Sequence, residues 1–255
     1  MINVVRSEWI KVRTVAMHWV LALIAIAFPL VITILTALFN GDSADFDTRS
    51  LLEVLGGTSV VAVLLLGVLA AATVTSDFGF NTIRPTFAAT PRRLRVMGAK
   101  VFVMVTYALV SQAIVMFLGV VIGGAVARGK GATIDLGSYG PAVPIIAGTI
   151  VLAGLMALIG LGVGMLLRST PLAVTLLILW PLLIESLIGG LLTLITKSGH
   201  VLRWLPFRAG FQLAGAGGND GDIGSPSRLT GGIYFGVVSL AVALLGAWVV
   251  NRRDA

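Results

Sequence analysis

The sequence predicts an all-α integral membrane protein with six transmembrane helices, and three observations carry that prediction. The chain has 255 residues, of which 57% are hydrophobic and only 11% charged, and its mean hydropathy is +1.02. A soluble domain holds about 25% charged residues, so this chain has far more apolar surface than water tolerates. Six apolar runs, at residues 17–39, 51–74, 101–126, 143–167, 171–195 and 232–250, each approach the roughly 20 residues that a helix needs to cross a ~30 Å hydrocarbon core. No stretch alternates polar and apolar residues in strands of about ten, which excludes a β-barrel and leaves helices that satisfy their own backbone. The whole chain, 1–255, reads as one transmembrane domain.

Ahead of the first run stand Arg6, Glu8, Trp9, Lys11 and Arg13. Two arrangements suit them. An interfacial helix would put Trp9 in the aromatic belt and Lys11 and Arg13 among lipid phosphates, whereas simple anchoring by positive charge needs no such helix. The run that follows is longer than the apolar core of a secretory signal and has no small-residue cleavage site, so it is expected to remain as a span. Orientation follows from the loop lysines and arginines. With the N-terminus inside, the inner segments hold Arg6, Lys11, Arg13, Arg84, Arg92, Arg93, Arg95, Lys100, Arg168, Arg252 and Arg253, eleven of the eighteen basic residues. Both termini are therefore expected in the cytoplasm.

Two segments outside the runs are long enough to carry function. Residues 75–99 are basic and cytoplasmic in this orientation; they begin polar, allow a short helix after Pro85, and close on Arg92, Arg93 and Arg95 before Lys100. Proline suits a first helical turn, and Pro91 would end such a helix. Phe78, Phe80 and Phe87 stand among the polar residues, and exposed aromatics beside basic groups favour a docking surface over a loop that only orients the chain. The second segment, 196–231, is external, with a Gly/Asn/Asp-rich tip between apolar flanks at 185–195 and 201–213. These flanks suit re-entrant or interfacial half-helices.

Glu185 is the acidic residue deepest within an apolar run, Glu53 standing only two residues from the start of the second, and Pro181 precedes Glu185 by one turn. An ionisable group at membrane depth is a functional candidate because burying it is costly, and proline can free a backbone carbonyl. Three roles stay open for Glu185: a substrate or proton contact in a translocation path, a hydrogen bond between helices, or a helix break favoured by Gly189 and Gly190.

Other signals are weaker. The stretch from Gly124 to Gly131 has the spacing of a phosphate-binding loop, but it ends in glycine where a magnesium-holding hydroxyl is required, and it trails an apolar run. Small residues at four-residue spacing, Gly119 with Gly123 and Gly160 with Gly164, suit close helix packing. Cysteine is absent and there are two histidines, His18 and His200, which argues against thiolate chemistry and a histidine-rich metal site. No catalytic residue is expected.

The loop at 75–100 resembles that of the ABC-2 (type 2) family of ABC transporter permeases, the membrane subunits of bacterial exporters. Asp77, Thr82, Phe87, Thr90, Pro91, Arg92, Arg93 and Lys100 match the family pattern in order, with Asn81 where glycine is usual; Glu8, Trp9, Lys11 and Arg13 match the segment before span one. The resemblance implies that Asp77, Phe78, Thr82, Arg84, Phe87, Thr90, Pro91, Arg92 and Arg93 belong to a coupling element resting on an ATPase subunit, and that Arg6 to Arg13 form an elbow helix. It further implies a permease for amphiphilic or hydrophobic substrates in a bacterial cytoplasmic membrane, paired with a second permease chain. ATP and magnesium would sit on the nucleotide-binding partner, with no cofactor on this chain. Lipid is an expected partner and nucleic acid is not. The alternatives are a secondary transporter, which would need several intramembrane ionisable groups or paired broken helices, and an intramembrane enzyme, for which His18 and His200 lack a convincing nucleophile partner.

Overall fold

The computed structural model describes residues 2–41, 46–80, 82, 93–215 and 227–252. A short helix α1 (Ile2–Thr14) turns at Val15 into α2 (Ala16–Asn40), the first long apolar helix. Helix α3 (Thr48–Gly79) returns; its first turn is capped by Asp47, whose side chain accepts the Ser50 N–H, satisfying a donor that the helix cannot. Helix α4 (Arg93–Leu118) continues through a π-helical turn (Gly119–Gly123) into α5 (Gly124–Gly129). Next come α6 (Ala142–Leu167), then α7 (Thr170–Leu179), which passes through a second π turn (Trp180–Ile184) into α8 (Glu185–Thr196). A 3₁₀ turn (Gly199–Trp204), the short α9 (Pro206–Phe211) and a 3₁₀ turn (Gln212–Ala214) precede the final α10 (Arg228–Arg252). Among the described residues there is no strand.

Six of these helical stretches are long and apolar enough to cross a membrane, and the chain is in this sense multi-pass: Ala16–Asn40, Thr48–Gly79, Leu94–Gly129, Ala142–Leu167, Thr170–Thr196 and Arg228–Arg252. The order is the one read from the apolar runs, but the helices overrun those runs. Most of the overrun falls at one end of the bundle, where α3 reaches Gly79 and α4 starts at Arg93, so the segment between them is shorter than residues 75–99. The polar residues of the last turns of α3 are accommodated because their groups find partners: Thr73 Oγ1 donates to the Ala70 carbonyl at 2.7 Å, and Asp77 and Lys100 pair with each other.

Packing is built on α3 and α6, the two most enclosed spans. Without a hydrophobic drive between helices in lipid, close approach of small residues supplies the contact. A Cβ built on Gly160 would collide with the Gly67 carbonyl of α3, and one on Gly164 would lie 2.9 Å from the Ala71 carbonyl. The opposite face of α6 meets α10, where a Cβ on Gly162 would be 2.7 Å from Ala243 N. Gly119 and Gly123 likewise let α3 and α2 close in, against Leu55, Leu51 and Thr33. The segment from Gly124 to Gly131 is a helix end: the Ala132 N–H reaches the Ala127 carbonyl and Gly131 takes φ 101°, a Schellman stop that needs glycine there.

The fifth span does not break at Gly189 and Gly190; the helix runs on to Thr196. Its irregularity lies at the π turn containing the buried Pro181. Gly189 instead admits the side chains of Leu202 and Leu205, which a Cβ would meet at 2.8 and 3.0 Å.

Candidate functional site

The helix end that carries the N-terminus gathers four charges from three elements. Glu8 and Lys11 lie one turn apart on α1, Asp77 sits in the last turn of α3, and Lys100 lies two turns into α4. Lys100 Nζ is 2.6 Å from Glu8 Oε2 and 2.9 Å from Asp77 Oδ2, and it donates to the Thr73 carbonyl at 3.2 Å. Lys11 Nζ closes the ring, 2.9 Å from Glu8 Oε1 and 3.3 Å from Asp77 Oδ2. Each lysine thus touches both acids, and each acid both lysines.

Burial makes this ring consequential. Lys100 is 1% exposed and Glu8 3%, whereas the Lys11 side chain is 37% exposed. Desolvating a carboxylate and an ammonium costs several kcal/mol each, which is recovered only through short, multiply satisfied contacts. Here Lys100 directs its ammonium at two carboxylates and a carbonyl, and the four formal charges cancel. Burial by itself would lower Lys11; the hydrogen bond and the charge of Glu8, followed by Asp77, outweigh it and hold the ammonium above its ordinary value.

The cluster forms one wall of a cavity of about 260 Å³. His18 and Thr82 add polar groups, and Val15, Val103 and Met104 line the apolar side. Thr82 Oγ1 donates to Asp77 Oδ1 at 3.1 Å, so the acid also fixes the chain just beyond α3. Phe78, in the same turn, packs its ring under the Arg168 guanidinium at 4.7 Å. Trp9 meets Tyr107 of α4 edge-on at 6.5 Å. The Arg13 carbonyl accepts the Trp19 Nε1–H at 2.7 Å, tying the α1–α2 corner.

The sequence placed Glu8, Trp9, Lys11 and Arg13 in one element and Asp77, Phe78 and Thr82 in another; the structure brings the two together. Arg93 lies in the first turn of α4 by its backbone. Arg84, Phe87, Thr90, Pro91 and Arg92 lie outside the described residues. Pro181 and Glu185 are elsewhere in the chain. Glu185 Oε1 accepts the Phe207 N–H and Oε2 the Arg208 N–H, both at 2.9 Å. The carboxylate therefore caps the first turn of α9 from a different helix, filling the role that a local N-cap residue usually plays. Arg168, read from sequence only as an inner basic residue, and Thr73 were not singled out for the site; an isolated arginine at an apolar boundary is the signal that could have marked the first, and nothing marked the second.

The four charges of the cluster are held against one another. Among the described residues no group of three or more His, Cys, Asp or Glu is placed to hold a metal ion, and both acids of the cluster accept from lysines. Comparison of the chain with family models, with curated proteins and with solved structures found no match in any of the three. Fold and site define a multi-pass helical membrane protein with a buried ion cluster at the end of its bundle.

Proposed function

We propose that this chain is the permease subunit of an ATP-driven ABC exporter of the ABC-2 type, moving an amphiphilic or hydrophobic substrate across a bacterial cytoplasmic membrane. The observation that carries the reading is the four-charge ring. It fixes both sides of the segment between α3 and α4, through Asp77 before it and Lys100 after it, onto α1. A loop that only orients a protein needs no such base. A loop that receives force from a partner does, because a push on a loosely held segment is lost in local bending.

In this reading α1 is an interfacial elbow helix on the cytoplasmic side, the stretch between spans two and three that holds Asp77, Phe78, Thr82, Arg84, Phe87, Thr90, Pro91, Arg92 and Arg93 is the coupling element, and the region between spans five and six is a re-entrant segment on the outer side. A nucleotide-binding subunit holds ATP and magnesium, and a second permease chain completes the path. ATP-driven closure of the ATPase dimer pushes the coupling elements, and the spans exchange inward for outward access.

Replacing Phe87 with aspartate tests the reading. The variant is expected to insert normally and to lose both ATPase-subunit association and transport. Normal copurification together with normal transport would refute the coupling assignment. Arg92 and Arg93 are poorer targets, since reversing their charge also disturbs topology.

A further inference from the structure

The turn between α6 and α7 is made by Arg168 and Ser169. Arg168 takes φ 52° and ψ 16°, the left-handed conformation that follows a helix and is usually given to glycine because a Cβ is disfavoured there. Its N–H closes the helix on the Gly164 carbonyl at 3.0 Å, a bond that glycine would make equally well. What arginine adds is its side chain, whose guanidinium carbon lies 4.7 Å from the centre of the Phe78 ring. Two residues on, Thr170 Oγ1 donates to Thr75 Oγ1 at 2.8 Å. Thr75 and Phe78 are three apart on α3 and so share a face. A backbone conformation held against a residue's preference persists where the surroundings over-determine it, and it points to a use for the side chain.

We propose that Arg168 is a positioning residue that latches the end of span two to spans four and five. The last turn of α3 is gripped on both sides: Asp77 ties it to α1 and α4, while Thr75 and Phe78 tie it to the α6–α7 turn. Any displacement of the chain beyond Phe80 is then shared with α6 and α7 as well as with α1 and α4. That this displacement is driven by ATP rests on the permease reading; the latch itself does not.

The test compares Arg168→Gly and Arg168→Lys with the wild-type chain in lipid nanodiscs. Arg168→Gly is expected to match or exceed the wild-type thermal midpoint, because glycine relaxes the turn. Amide exchange at residues 76–80 should nonetheless rise roughly fivefold or more, the local restraint being gone. Arg168→Lys, which keeps a cation over the ring, should fall between. Unchanged exchange at 76–80, or a lowered midpoint with exchange raised along the whole chain, would overturn the latch. A second arm uses the complex with a copurified ATPase subunit. Vanadate with ATP should alter exchange in residues 170–179 of the wild type and clearly less in Arg168→Gly, where the Thr170–Thr75 bond remains, and an equal response in both would overturn transmission through Arg168. Failure of any ATPase subunit to copurify would remove the permease reading and leave the nanodisc arm to decide the latch alone.

Discussion

Removing Lys100 tests the charge ring most sharply. In Lys100→Met the side chain keeps an unbranched apolar stem, one atom shorter, but Glu8 loses its 2.6 Å partner, Asp77 its 2.9 Å partner and the Thr73 carbonyl its donor. Removing one member of a buried pair costs about 3–5 kcal/mol, because the remaining charge stays desolvated. The lower end applies here, about 3 kcal/mol, since Lys11 still stands 2.9 Å from Glu8 and 3.3 Å from Asp77. The assay is reversible unfolding in detergent followed by tryptophan fluorescence, run as a cycle with Glu8→Gln and the double variant. Glu8→Gln spares the double variant one buried charge, so the double variant should lose less than the sum of the singles by more than about 1 kcal/mol. If Lys100→Met unfolds within about 0.5 kcal/mol of the wild type, as an ordinary surface substitution would, the ring is not a buried restraint and the anchoring argument fails.

Three further expectations follow from the packing and the caps. Gly160→Ala should destabilise by roughly 1–3 kcal/mol through overpacking against the Gly67 carbonyl, while Gly57→Ala, in open space, should be neutral or stabilising by up to about 1 kcal/mol; thermal unfolding of the two variants checks both. Glu185→Gln leaves one amide oxygen to accept two N–H groups, so one of Phe207 and Arg208 loses its acceptor at about 1–3 kcal/mol. Amide exchange should rise in Pro206–Phe211 while the other spans stay protected. Asp47→Ala removes the cap on α3 at about 1 kcal/mol. The Ser50 N–H holds the Asp47 carboxyl below its ordinary value, so this contribution is present above about pH 4 and is lost as pH falls further; wild type and variant should therefore converge in stability in acid.

Much of the fold was legible because length and hydropathy decide membrane spans with few competitors. The six runs gave the helices in order, and the Gly160 and Gly164 pair foretold a close approach, although not that α3 would be the neighbour. Helix ends were less legible. Thr75, Ser76 and Asp77 read as loop by polarity, yet they remain helical because the two hydroxyls bond back to carbonyls of the same helix and Asp77 finds lysines. The ring was invisible for a related reason: Glu8 and Lys100 are 92 positions apart and Lys11 and Asp77 66, and no local pattern announces a pairing over such distances. Glu185 was legible as unusual but not in its role, since the two N–H groups that claim it lie on α9, beyond a 3₁₀ turn. Gly189 and Gly190 suggested a break because glycine weakens helices in general; here Gly189 makes room for Leu202 and Leu205.

In the permease reading proposed above, a soluble ATPase drives this chain through the segment that the ring holds. A gentle-detergent pull-down of the tagged chain from its native host, with mass spectrometry of what accompanies it, tests that claim most directly. The account predicts a stoichiometric soluble protein bearing a phosphate-binding loop, lost in Phe87→Asp. Recovery of the chain alone, or only with copies of itself, would contradict the account and move attention to an ion-gradient mechanism.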